Sequence, residues 1–321
     1  MRVTPEMETL GSFFVAAPTN PEFMQTDPAI TFNGENYLVV WADEKFGVPN
    51  VFDPVVARVT PGGVALDTGN FVAPNPGFGA YRPNVAWGGP RGLVVWYSSG
   101  SGIFGRFVNR DGLPEGDLIP IASGASGVDL AYGAGNYLLV WFVGTYPVLN
   151  IMCQLISPAG ELIGEPRALT ADADCHRWAD VAFDGTDFLV VWQGGLNSAP
   201  NTIWGQFIAP DGSCAGDTFR ICDATAYQRW WPAIAVSEEK FLVAWGQGTS
   251  SDVYGNADVP VTGIAERLGP EPNRSNSSEG VPRAGFPAVY DALGRRVKAS
   301  RLRPGVYVRG PGQATKIVTL R

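Results

Sequence analysis

Tyr37-Leu38-Val39-Val40-Trp41 decides the fold, because near-copies of it recur along the chain. They read Gly92-Leu93-Val94-Val95-Trp96, Tyr137-Leu138-Leu139-Val140-Trp141, Phe188-Leu189-Val190-Val191-Trp192 and Phe241-Leu242-Val243-Ala244-Trp245. Successive Trp residues lie 55, 45, 51 and 53 positions apart. Runs of β-branched and aromatic residues read as strands, and a period of this length is that of a propeller blade.

The same grammar surrounds each copy. Upstream, a short apolar strand (Ala29 to Phe32, Asn84 to Trp87, Asp129 to Tyr132, Asp180 to Phe183, Ala233 to Val236) runs into a tight turn such as Asn33-Gly34 or Asp184-Gly185. Asn-Gly and Asp-Gly supply the positive φ that hairpin turns need, so strand A turns into strand B there. Downstream, a third strand recurs as Ile103 to Phe107, Ile151 to Leu155 and Ile203 to Phe207, closed by turns such as Ser157-Pro158-Ala159-Gly160 and Ala209-Pro210-Asp211-Gly212. A fourth, outer strand follows. Four antiparallel strands repeated radially make an all-β, five-bladed β-propeller.

The termini bear on how the ring closes. Arg2-Val3-Thr4-Pro5 matches Arg58-Val59-Thr60-Pro61, and Phe13-Phe14-Val15-Ala16 matches the outer strand Asn70-Phe71-Val72-Ala73. After Pro260 no outer strand is visible, so Phe13 to Ala16 is expected to complete the fifth blade. The rival expectation is that further blades precede residue 1. The blade pattern resembles the repeats of uncharacterised bacterial secreted propellers, which implies an architecture and no particular activity.

Past the propeller (1–262) comes a polar linker (263–283), then a small unit at 284–321 with a different composition. Tyr290-Asp291, Gly294-Arg295, Pro304-Gly305, Tyr307 and the terminal Lys316-Ile317-Val318 are ordered as in the C-terminal sorting domain of type IX secretion cargo, which this segment resembles in shortened form. That resemblance implies export, with the secretion machinery as a partner and the outer cell surface or medium as the destination. Charge supports two parts with different jobs: the net −8 divides into +8 over residues 283–321 and −16 over the rest. Export requires a signal peptide, yet no apolar segment follows Met1, so the natural start is expected upstream.

Composition narrows the function. An acidic body excludes a nucleic-acid partner, which needs a dense basic face. No apolar stretch is long enough to span a bilayer. The one His, His176, precludes a multi-histidine metal centre, and no cofactor or metal is expected; Asp43-Glu44 could hold calcium, without any ligand spacing to support it. Four Cys suit two disulfides in an oxidising compartment, with Cys214–Cys222 and Cys153–Cys175 as one of three possible connectivities.

Candidate binding residues lie 14 to 16 positions before each blade Trp, in the loops that enter strand A. They include Asp27, Tyr81, Arg82, His176, Arg177, Trp178, Arg229, Trp230 and Trp231. Aromatic faces beside guanidinium donors suit a sugar, although Trp178 and Trp231 share a repeat position and could simply cover the core. The five blade Trp residues read as structural. Asp129 and Asp180 share another repeat position in neighbouring blades and are the candidates for a pair of glycosidase carboxylates. Strand-start Asp residues also commonly satisfy backbone donors. The function these features favour is a monomeric, non-enzymatic surface module that binds a glycan or protein. The alternatives are an extracellular glycoside-active enzyme using Asp129 and Asp180, and a structural surface-layer component.

Overall fold

The computed structural model describes residues 24–44, 51–73, 79–195, 201–222, 228–236, 240–247 and 252–260, with short strands at 2–3, 9–10 and between 289 and 320. The described residues contain strands and no helix. Strands β1 (Arg2–Val3) and β2 (Thr9–Leu10) pair with each other. Blade 1 is β3 (Gln25–Phe32), β4 (Tyr37–Asp43), β5 (Asp53–Val59) and β6 (Asn70–Phe71). Blade 2 follows as β7 (Ala80–Gly88), β8 (Arg91–Ser98), β9 (Gly102–Val108) and β10 (Pro114–Ala122). Blade 3 is β11 (Ala125–Gly133), β12 (Asn136–Thr145), β13 (Val148–Ile156) and β14 (Leu162–Ala168). Blade 4 is β15 (His176–Phe183), β16 (Phe188–Gly194), β17 (Thr202–Ile208) and β18 (Cys214–Arg220). Blade 5 has β19 (Arg229–Val236), β20 (Lys240–Gln247) and β21 (Asp252–Pro260). The fold is the five-bladed propeller that the repeat predicts.

The repeat works because side chains alternate across a strand. In blade 2, Leu93 and Val95 face blade 3, where they join Leu130, Leu139 and Trp141. Val94 and Trp96 face the other way, onto Leu38, Val40 and Val56 of blade 1. Leu138 and Val140 meet Val181, Val190 and Trp192 in the same manner, and Leu189 and Val191 meet Val243 and Trp245. The Leu-Val-Val-Trp copies of blades 2, 3 and 4 therefore each seal two interfaces, and the five blade Trp residues are all buried, as core residues should be.

Turn chemistry fixes the hairpins as expected. Asn33 Oδ1 accepts the amides of Glu35 and Asn36 at 3.0 and 2.7 Å, and Gly34 takes φ 91°. Tyr137 ties blade 3 to blade 2 through its hydroxyl, which donates to the Arg91 carbonyl at 3.0 Å.

Blade 5 shows three strands among the described residues, with β21 at the edge. Phe13 to Ala16, expected to pair there, lies outside the described residues. Beyond the ring, β22 (Val289–Asp291), β23 (Arg296–Val297), β24 (Gly305–Arg309) and β25 (Ile317–Leu320) form a separate four-stranded sheet in the order β23-β22-β24-β25. Tyr290, Asp291, Gly305 and Tyr307 sit on its strands, whereas the linker, Gly294, Arg295, Pro304 and Lys316 lie outside the described residues. Among the described residues no helix is long and apolar enough to cross a membrane.

The disulfide expectation is corrected, since all four cysteines are free. Cys214 opens β18 opposite Ile208, and Cys222 lies beyond the far end of the same strand. Cys175 bridges to Leu149, four residues along β13 from Cys153, or about 13 Å at the rise of a strand. Neither pair can come within the ~7 Å Cα separation that a bridge demands.

Candidate functional site

Strand A carries a register shift at the same place in every blade: between Thr26 and Ala29, Tyr81 and Asn84, Ser126 and Asp129, Arg177 and Asp180, and Trp230 and Ala233. The candidate residues thus belong to the bulged first turns of the strands and not to loops before them. One residue of each bulge has positive φ: Asp27 (52°), Arg82 (49°), Gly127 (63°), Trp178 (55°) and Trp231 (49°). These five positions stand 14 residues before the five blade Trp residues. A bulge re-aims a side chain, and here it turns five equivalent positions onto one axial pocket. That pocket, about 290 Å³, is lined by Asp27, Arg82, Asp129, Trp178, Asp180 and Trp231, together with the prolines and small residues between them.

Glycine would fit all five ring positions without strain, yet four carry larger side chains. Holding an L residue at such φ costs on the order of 1–3 kcal/mol and persists where the surrounding structure imposes it, typically at functional sites. The architecture repeats while the side chains, Asp, Arg, Gly, Trp and Trp, do not. That difference separates them from the blade Trp residues, whose identity never changes.

The neighbours of the ring positions turn away from the pocket. Tyr81 stacks on Tyr97 and tilts against Phe52. His176 is 6% exposed; its Nδ1 accepts from the Trp192 indole at 3.2 Å and its Nε2 donates to Asp172 at 2.9 Å. Arg229, 2% exposed, donates to Gln247 and to the Asn201 carbonyl. Arg177 and Trp230 occupy the same register as Tyr81 and are absent from the pocket lining. Of the expected binding residues, the structure brings together Asp27, Arg82, Trp178 and Trp231, and assigns Tyr81, His176 and Arg229 to the packing of the blade tops.

Within the pocket the Arg82 guanidinium lies over the Trp178 ring, 4.1 Å from its centroid. Trp178 also meets Phe142 edge-on. Trp231 is 62% exposed and offers a free face.

Asp129 and Asp180, two residues beyond their ring positions, form the floor. Asp129 Oδ1 accepts from Asn84 Nδ2 of blade 2, and its Oδ2 accepts the Val181 amide of blade 4 at 2.9 Å. Asp180 Oδ2 accepts the Ile234 amide of blade 5 at 2.9 Å. Each carboxyl therefore latches its blade to the next around the axis. Burial, then the charge of Asp180 and a hydrogen bond between the two carboxyls, pushes Asp129 well above the usual carboxylate range. Asp129 accordingly keeps its proton to a higher pH than an ordinary carboxyl does. The two candidate carboxyls thus both line the axial pocket and lie in contact with each other there. Asp27, on blade 1, is the carboxylate separate from them in the same pocket.

Because Asp129 binds its proton more tightly folded than unfolded, its contribution is full below about pH 4 and fades as pH rises towards the raised value. Asp67 behaves oppositely: although burial alone would raise it, the Arg58 side chain and amide hold it below the usual range, and its contribution is lost in acid. Urea unfolding across a pH series should show stability falling above about pH 4 with a slope of up to ~1.4 kcal/mol per unit, flattened in Asp129→Asn. An unchanged slope in that variant would place the proton elsewhere.

Among the described residues no three His, Cys, Asp or Glu converge as a metal-ligand set. Asp43, considered for calcium, is buried and accepts the Trp41 indole N–H at 2.8 Å.

No family model matches the chain, and no curated protein matches it. Solved structures do. A protein of unknown function from Dyadobacter fermentans aligns over 94% of this chain and 95% of its own, with TM-score 0.59 and 12% identity. An alpha-L-arabinofuranosidase from Lactobacillus brevis aligns over 76% of this chain and 96% of its own (TM-score 0.48, 12% identity), and a thermostable family-43 glycoside hydrolase over 84% and 99% (TM-score 0.46, 11% identity). At these identities the likeness is one of fold. The expectation of a non-enzymatic binding module is corrected in this respect: glycoside hydrolases are among the propellers that align, so the fold does not by itself speak for binding without catalysis.

Proposed function

We propose that the chain is a glycoside-active enzyme whose reaction takes place in the axial pocket. The observation that carries this reading is that one cavity holds two carboxyl functions: Asp129 and Asp180 in contact with each other, with Asp129 raised by burial, and Asp27 on blade 1. Glycoside hydrolysis needs that division between a proton donor and a second carboxylate. A sugar ring stacks its CH face on Trp231. The carboxyl pair gives its proton to the glycosidic oxygen as the C–O bond breaks and the electron pair leaves with that oxygen. Water attacks the sugar carbon, forming the new C–O bond and passing its proton to Asp27. The hydrogen bonds from Asn84, Val181 and Ile234 keep the pair in place through the cycle.

The test is turnover of aryl glycosides by the full chain, across pentosides, hexosides and uronides of both anomers, with the product anomer read by NMR. A folded protein that releases no aglycone from any of them would overturn the reading.

Export through the C-terminal unit belongs to the same proposal, on the strength of the motif order and the separate sheet of β22 to β25. In a host with that secretion route, and with a signal peptide placed ahead of Met1, a chain ending at residue 283 should stay in the periplasm. Its appearance in the medium at the full-length level would remove the sorting role.

A further inference from the structure

We infer that the axial pocket is built for an acidic sugar, a uronic acid residue whose carboxylate is held by Arg82; this rests on the pocket being a sugar site. Arg82 keeps a positive φ of 49° that glycine would adopt more cheaply, so its side chain is maintained there against backbone strain. It reaches from blade 2 to Trp178 of blade 4, past Gly127 of blade 3, the one ring position without a side chain to obstruct the span.

With its Cζ 4.1 Å from the Trp178 ring centroid, the guanidinium is held over an aromatic face, a contact that needs none of its N–H donors. Among the described residues the ion pairs are Arg58 with Asp67 and Asp111, and His176 with Asp172; Arg82 has none. Asp27 is its acidic neighbour on the ring, and both act electrostatically on Tyr97, yet they do not close a salt bridge. A planar fork held flat, with no carboxylate on it, matches the geometry of a bidentate carboxylate ligand. A neutral sugar makes no use of that charge. The volume of about 290 Å³ lies at the lower end of the range for ligand pockets, roughly 300–1,000 Å³, which suits a single terminal residue better than a run of them.

The experiment is calorimetric titration of the full chain with D-glucuronate and D-galacturonate against D-glucose, D-galactose and acetate. One bidentate, charge-assisted pair should make each uronate bind about tenfold or more tightly than its neutral counterpart. Arg82→Gly suits the backbone at this φ and should erase the preference for uronates over neutral sugars. Arg82→Lys keeps the charge without the fork and should retain only part of it. Equal affinity for acidic and neutral sugars, or acetate binding as tightly as the uronates, would overturn the inference. Neutral glycosides turned over with no uronate advantage would leave the glycosidase reading standing. If no sugar binds and no glycoside is cleaved, that reading fails and the inference with it.

Discussion

Asp27→Asn is expected to lower kcat on a responsive aryl glycoside by about 10²–10⁴-fold, the usual contribution of a positioned general base, with the thermal midpoint nearly unchanged. The second half of this expectation comes from the backbone. At φ 52° most side chains would add strain, but asparagine tolerates the left-handed region nearly as well as aspartate does. Among the described residues Asp27 accepts no hydrogen bond from a neighbouring blade of the kind that Asp129 and Asp180 accept, so removing its charge breaks no such latch there. Activity and stability thus separate at Asp27, whereas they are tied together at Asp129, whose loss would also break the bonds it accepts from Asn84 of blade 2 and the Val181 amide of blade 4. Full turnover by a folded Asp27→Asn protein would take the second carboxylate away from this residue.

The ring itself was legible because period-2 alternation within each Leu-Val-Val-Trp and a spacing near 50 between copies leave few other architectures. The pocket was only half legible. A fixed offset of 14 from each blade Trp points to Asp27, Arg82, Gly127, Trp178 and Trp231, but residues one and two positions earlier carry equally suggestive chemistry. Only the bulge, a matter of backbone register, sends Trp178 into the pocket and His176 into the blade. The identities at the ring positions were the available signal: they vary from blade to blade where everything around them repeats.

The contact between Asp129 and Asp180 could not be read from sequence for a different reason. Equivalent positions in adjacent blades converge near the axis and diverge towards the rim, and a linear repeat carries no radius. The same geometry misled the cysteine pairing. Cys214 and Cys222 are close along the chain, yet the outer strand from Cys214 to Arg220 lies between them, and Cys222 comes after its far end.

Repeat-equivalent leucines supply the other large effect. Leu38, Leu93, Leu138 and Leu189 are all 0% exposed, each inserted into the following blade, whereas Leu242 in blade 5 is 49% exposed. On the facing side of blade 1, Ile30 is 61% exposed where its counterparts Val85, Leu130 and Val181 are at 4 to 6%. One chemical change at one repeat position should therefore have two very different costs. Leu93→Ala removes a fully enclosed side chain between blades 2 and 3 and should destabilise the propeller by about 2–5 kcal/mol through lost burial and the cavity left behind. Leu242→Ala, at a side chain half in water already, should cost about 0.5 kcal/mol. Urea unfolding of both variants decides the matter. Equal losses would mean that Leu242 is enclosed in solution as Leu93 is, and that blade 5 meets blade 1 with the same close packing that joins blade 2 to blade 3.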